Sequence, residues 1–263
     1  MGVKNVAVLI NFKLLKNKFS ISEIQTHFLI FETSTIARMF KPFKPVNPEP
    51  IRFVVCIPTL NRADLLNEAL VNYFNDFKET LIVICDNGNQ EIIRREDNFV
   101  IIRPETNLGV SKSWNLLMEF ADKQGATHVL ILNDDVYLGK SEIQIQSILQ
   151  IWKNMAFINS YQQWSSYILT VQAWKEFGKF DENIFPAYFE DNDAHYRMKL
   201  LNMNMVYTEK LNPVTFRNSM SIEKDPSLNE NFLKNRTYYI KKWGGATDKE
   251  KYLVPFNAVS VKL

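Results

Sequence analysis

Two acidic clusters hold this chain's clearest chemical potential. The apolar run His128 to Leu132 ends in Asn133, Asp134 and Asp135, and Glu190, Asp191 and Asp193 stand further along. Carboxylate oxygens suit a hard divalent cation, magnesium or manganese, which fills the rest of its shell with water or phosphate oxygens. Asp135 is the candidate ligand, facing a diphosphate. If strand geometry persists, Asn133 and Asp135 share one side and Asp134 takes the other. A polar turn after a buried strand explains the same residues, since Asn and Asp are ordinary turn formers.

The second cluster opens the segment FEDNDAHYRMKLL, whose acids precede an apolar stripe. That order places Glu190 to Asp193 in the first turn of a helix, where the dipole favours negative charge and accounts for them structurally. A base that takes a proton from a sugar hydroxyl must be ionised and within hydrogen-bond reach of it. Asp191 is the candidate. Arg197 can orient an acid, bind phosphate or form a surface ion pair.

The elements that must position these groups follow a βαβ pattern. Strands are expected at Ile51 to Ile57, Leu81 to Cys85, Phe99 to Ile102 and His128 to Leu132, with helices from Arg62 to Phe74 and Ser111 to Asp122 between them. This alternation predicts an α/β fold with a mostly parallel central sheet flanked by helices, and ligands in such sheets gather beyond the carboxyl ends of the strands. Ser141 is placed to cap a helix with a stripe at Ile148, Ile151 and Trp152, after which Ala156 to Ile158 and Tyr167 to Val171 resemble strands. Before Ile51, KPFKPVNPEP reads as an extended linker. The expected organisation is an extension and linker over residues 1–50 and a single domain over 51–263.

The 263 residues suffice for one substantial core. A formal charge of +2 without a long basic run gives no support for a nucleic-acid partner. Cys56 and Cys85 sit in β-branched runs and read as buried thiols in a reducing compartment. No apolar stretch approaches the roughly 20 residues of a membrane span, and the amino terminus lacks a signal-peptide pattern. A cytoplasmic protein is expected, with peripheral membrane contact still open.

In order, VVCIPTLNR, IVICDNG, NLGVSKSWN, LILNDDV and FGKFDENIFPAYFEDNDAHYR resemble the family 2 glycosyltransferases of the GT-A fold, over about Ile51 to Asn257. The resemblance implies an inverting transfer from a nucleoside diphosphate sugar, UDP-linked by expectation with GDP and dTDP as alternatives, to a hydroxyl of a glycan or glycoconjugate. It places Pro58, Thr59 and Arg62 in the first nucleotide loop, Asp86 at the base edge, and Asn107, Gly109 and Lys112 at the sugar or diphosphate. It makes Asn133, Asp134 and Asp135 a DXD-like motif, with Asp135 carrying the manganese or magnesium, and Asp191 the catalytic base. Glu190, Arg197 and Trp174 fall on the acceptor side, though Trp174 also reads as core.

One departure stands out. Where relatives carry a histidine ligand, NPVTFRNSMS has Phe216 and Arg217. Arg217 is a candidate to offset charge on the leaving diphosphate. The tail NRTYYIKKWGG suggests either a segment folded over the nucleotide or a helix ending at Gly244 with a docked terminal strand. Two other functions remain: a sugar nucleotidyltransferase, which the missing glycine-rich Arg-Lys loop disfavours, and a non-catalytic nucleotide-sugar or glycan-binding protein.

Overall fold

Near-continuous apolar strands need cover on both faces, and the chain supplies it. The computed structural model describes residues 50–162, 164–217 and 227–258, with 227–229 as backbone only. The expected strand at Val6 to Ile10, the segment Ile21 to Phe40 and the boundary near Glu49 lie outside the described residues.

β1 (Phe53–Thr59), α1 (Ala63–Asp76), β2 (Ile82–Asp86), β3 (Phe99–Ile102), α2 (Gly109–Lys123) and β4 (His128–Leu132) form the regular first part. After β5 (Val136–Tyr137) come α3 (Glu142–Ile151), β6 (Phe157–Asn159), β7 (Ser166–Thr170), α4 (Val171–Phe177), α5 (Glu190–Leu200), β8 (Met205–Tyr207), β9 (Thr215–Phe216) and α6 (Ser227–Trp243). Among the described residues the main sheet has seven strands in the order β3-β2-β1-β4-β7-β6-β8, with β5 and β9 paired separately. β7 runs antiparallel to β4 and β6, and the remaining neighbours of the main sheet pair in parallel.

Alternation along each strand divides the core into two layers. Val54, Cys56, Val83, Cys85, Val129 and Ile131 pack with Trp114, Leu117 and Met118 of α2 and Trp174 of α4. Val55, Ile57, Ile82, Ile84, Leu130 and Leu132 pack against Leu66, Leu70 and Tyr73 of α1 and Ile145 and Leu149 of α3. Both cysteines are buried and free. Ser141 caps α3 in a reciprocal capping box with Gln144.

Short elements escaped the sequence pattern. α4 is capped by Thr170, whose hydroxyl accepts from the Ala173 amide at 3.0 Å, within a stretch that alternation had extended as strand. β5 and β9 hold two residues each, too few to show a period. No helix among the described residues is long and apolar enough to cross a membrane.

Candidate active site

Register brings the polar strand ends together. Thr59 lies opposite Asp86 where β1 meets β2, and β4 ends beside β1 on its other edge. A cleft of about 490 Å³ opens there, lined by Pro58, Thr59, Arg62, Asn107, Gly109, Asn133, Asp134, Asp135 and Glu190 among others.

Of the two readings open for the acidic segment, the structure takes the turn. Extended structure stops at Leu132, and residues 134 and 135 form a turn, so Asn133, Asp134 and Asp135 all reach the cleft instead of alternating. The Thr59 hydroxyl donates to Asp134 Oδ2 at 2.8 Å. Burial raises the Asp134 pKa to about 6, with the Asp135 charge adding to it and the Thr59 hydrogen bond only partly offsetting. Asp135 is 5% exposed, and its carbonyl accepts from the Arg217 amide at 3.2 Å.

The opposite wall is the amino-terminal end of α2. Gly109 has φ +70°, and a Cβ there would lie 2.8 Å from both the Phe185 ring and the Pro186 carbonyl oxygen, so glycine permits this approach. The Val110 amide donates to the same carbonyl at 2.7 Å. Gly109, Val110 and Ser113 face the cleft. Helical phase turns Lys112 outward; it is exposed and absent from the lining. The 15-residue helix thus presents its positive end to the cleft, a setting that favours phosphate.

Asp86 stands just behind the lining. Its Oδ1 accepts from the Gly88 amide and Gln90 Nε2, and its Oδ2 from the Gln90 amide and Arg103 Nε at 2.9 Å. Burial alone would raise its pKa, but these donors lower it. Asp86 therefore shapes the 86–90 loop, leaving Asn87 and Asn61 on the cleft surface. Arg62 ion-pairs with Asp64 at 3.2 Å, while its buried Nη1 has no hydrogen-bond partner among the described residues.

α5 enters through two consecutive left-handed residues, Tyr188 and Phe189, with φ of 75° and 78°. The corner presents Glu190 to the cleft, 7% exposed, with Oε2 lacking a hydrogen-bond partner among the described residues. Successive helix residues project about 100° apart. Asp191 accordingly faces a neighbouring hollow of about 320 Å³, not the cleft. Burial and the Asp191 charge push Glu190 well above the usual carboxylate range; burial also raises Asp191.

Asp193 is structural. Fully buried, it accepts from Trp243 Nε1 at 2.8 Å and pairs with Lys242 Nζ at 2.6 Å and Arg197 Nη2 at 2.7 Å. Lys242 also pairs with Asp181 at 2.7 Å, and Tyr238 donates to that carboxylate at 2.9 Å. Asn235 Nδ2 donates to the carbonyls of Phe185 and Ala187 at 3.2 and 2.7 Å. The tail is thus a helix packed behind the 185–190 corner, ending at Trp243 before left-handed Gly244.

Several expected site residues lie elsewhere. Arg197 Nη1 donates to the Phe177 and Lys179 carbonyls, tying α5 to the end of α4, and is not part of the cleft lining. Trp174 is core, 3% exposed, its Nε1 donating to Asn115 Oδ1 at 3.1 Å. Arg217 pairs with Glu68 of α1 outside the cleft. Asn61, Asn87 and Ser113 line the cleft but were missed in the sequence. Ser113 was findable, four residues after Gly109 on the same helical face.

Among the described residues no group of three His, Cys, Asp or Glu side chains could enclose a metal ion. The set does fit a cation held by one or two carboxylates that completes its shell with diphosphate oxygens and water, with Asp135 and Asp134 as the oxygen donors.

The strand order and helical layers are those of a GT-A-type fold. The model described as Glycosyl transferase family 2 matches residues 54–206, and the chain belongs to that family. Among solved structures, S. aureus TarS 1-349 in complex with UDP-GlcNAc is similar at TM-score 0.52 and 16% identity, covering 73% of this chain and 66% of that one. Mannosyltransferase PcManGT from Pyrobaculum calidifontis, in complex with GDP-Man and Mn2+, is similar at TM-score 0.50 and 14% identity, covering 81% and 74%. The S. aureus TarS 1-349 complex with UDP matches at TM-score 0.49 and 14% identity over 62% of this chain, which spans 59% of that one. A search of curated proteins finds no match.

Proposed function

We propose that this protein transfers a sugar from a nucleoside diphosphate sugar to a hydroxyl of a glycan or glycoconjugate, inverting the anomeric centre. The observation that carries the reading is one cleft joining the positive end of α2, the Asn133 to Asp135 turn and the buried Glu190. Thr59, Asn87 and Asn107 offer hydrogen bonds to nucleoside and sugar, while Arg62 and the positive end of the α2 dipole attract the diphosphate. Asp135, with Asp134 beside it, would hold a manganese or magnesium ion, which when bound neutralises charge on the departing diphosphate. The ligands named for the two relatives, UDP-GlcNAc and GDP-Man, support UDP or GDP as the nucleotide.

A single displacement inverts configuration and needs a base on the face away from the leaving group. Asp191 lies one residue past the cleft wall and is our assignment for that base. Protonated Glu190 would then hydrogen-bond donor sugar from the cleft side.

Thermal unfolding with UDP, GDP and dTDP, each in manganese and in chelator, tests the reading. Ligand at 100 times its dissociation constant should stabilise the protein by about 2.7 kcal/mol, more in metal than in chelator. If none of the three nucleotides moves the melting temperature at saturating metal, the reading fails.

A further inference from the structure

The chain's positive charge is not spread evenly. Residues 230–258 hold six basic and three acidic side chains, a net +3, whereas the whole sequence carries only +2. Lys234, Lys241, Lys249 and Lys251 are exposed, and none of them pairs with an acid among the described residues. Two of the three acids are already engaged, Asp248 with Lys199 at 3.3 Å and Glu250 as acceptor of the Tyr239 hydroxyl.

Directly after the last two lysines come Leu253, Val254, Pro255 and Phe256, four consecutive apolar residues that are all exposed, Leu253 to 77%. An exposed run of about three or four apolar residues works against solubility unless something covers it. The tip is nevertheless firmly seated. The Lys251 and Tyr252 amides donate to the Trp243 carbonyl at 2.9 and 3.0 Å, and the Tyr252 ring packs on Gly244, where a Cβ would lie 2.7 Å from it. Phe256 meets the Tyr238 ring edge-on at 5.8 Å. Lys234 and Lys241 stand one turn to either side of Tyr238, on the same face of α6. Lysines from the helix and from the tail therefore flank one apolar tip.

We infer that this tip and the adjoining face of α6 dock the protein on an anionic bilayer surface. Charge complementarity selects that occupant. Apolar side chains entering the headgroup boundary gain from burial, while lysines around them gain from the negative surface potential and keep their ammonium groups at the lipid phosphates. A neutral protein partner would cover the apolar run but leave the lysines without a counter-charge, and a nucleic acid would meet the lysines but leave the apolar run in water. Asn235 of the same helix holds the carbonyls of Phe185 and Ala187 at the cleft rim, so docking would set the cleft close to the bilayer.

The test floats the full chain with two kinds of vesicle, phosphatidylcholine alone and phosphatidylcholine with about one-third phosphatidylglycerol, at low and high salt. The anionic vesicles should bind at least about tenfold more tightly, a gap that narrows as salt screens the lysines. Leu253→Ser combined with Phe256→Ser should weaken binding to anionic vesicles at least about tenfold by removing the apolar insertion; if that double variant fails to fold, Leu253→Glu alone should do the same. Lys249→Glu combined with Lys251→Glu should erase the preference for phosphatidylglycerol. Equal binding to both vesicles, no binding to either, or undiminished binding by a folded apolar variant overturns the inference. So does single-stranded DNA held as tightly as anionic vesicles and equally well by the serine variant, which would mark a nucleic-acid surface, or a lipid-free dimer that the serine variant breaks, which would mark a contact between copies of this chain.

Discussion

Asp134 and Asp181, two carboxylates removed from solvent in different halves of the molecule, are treated in opposite ways. Asp134 in the first half has a hydroxyl for its close partner, and burial raises its pKa to about 6. Asp181 in the second half has Lys242 at 2.7 Å, which outweighs burial and holds its pKa at about 2. The first arrangement leaves an acid with raised proton affinity at the mouth of a cleft, the perturbation expected of a functional site. The second neutralises its acid internally, as a strut should. Unsatisfied charge marks the proposed chemistry; satisfied charge marks the frame around it.

The strongest test of that division is Asp191→Asn. Transfer to an acceptor should fall by about 10²–10⁴-fold, with nucleotide binding and melting temperature preserved. Glu190→Gln should cost less, because protonated Glu190 and glutamine both donate a hydrogen bond. If the two variants rank in the reverse order, the base assignment moves to Glu190.

Next in size is the frame. Lys242→Met leaves Asp193 and Asp181 without their shared cation, and losing one partner of a buried ion pair costs about 3–5 kcal/mol. Urea unfolding should show this loss, and a change below 1 kcal/mol would mean that Arg197, Trp243 and Tyr238 suffice.

On the cleft side, Asp135→Asn should weaken metal-dependent UDP binding at least about tenfold, or 1.4 kcal/mol, while Asn133→Ala does much less. Titration calorimetry compares them directly. Equal small effects would return the turn to a purely structural role.

The smallest effects are in pH dependence, and they have opposite signs. Asp134 binds its proton more tightly folded than unfolded, so its contribution to stability falls as pH rises from about 4 to 6. Asp181 binds its proton less tightly folded, so its contribution is present above about 4 and disappears as pH falls through about 2. Chemical denaturation across pH should show Asp134→Asn flattening the upper window and Asp181→Asn the lower. The same window flattening in both variants would erase the distinction.

The same contrast explains what could be read from the sequence. Strands β1 to β4 were legible because burial on both faces leaves uninterrupted apolar runs between turn residues. The start of α5 was legible from acids preceding an apolar stripe. The bend after Leu132 was one of two open readings, since NDD suits a turn as well as a strand end. Arg197 and Trp174 looked like ligand contacts because their partners, the carbonyls at Phe177 and Lys179 and the amide of Asn115, appear only once the chain is folded. Lys242 gave no signal: it lies 61 residues from Asp181, beyond any periodicity.

Helical phase sends Glu190 and Asp191 into different chambers, yet one peptide bond joins them. Their shapes can therefore be altered independently, but their protons cannot. Negative charge arriving in the cleft tightens Glu190's hold on its proton, and an uncharged Glu190 makes Asp191 easier to ionise. Charge arriving in one chamber would thus shift proton affinity in the other.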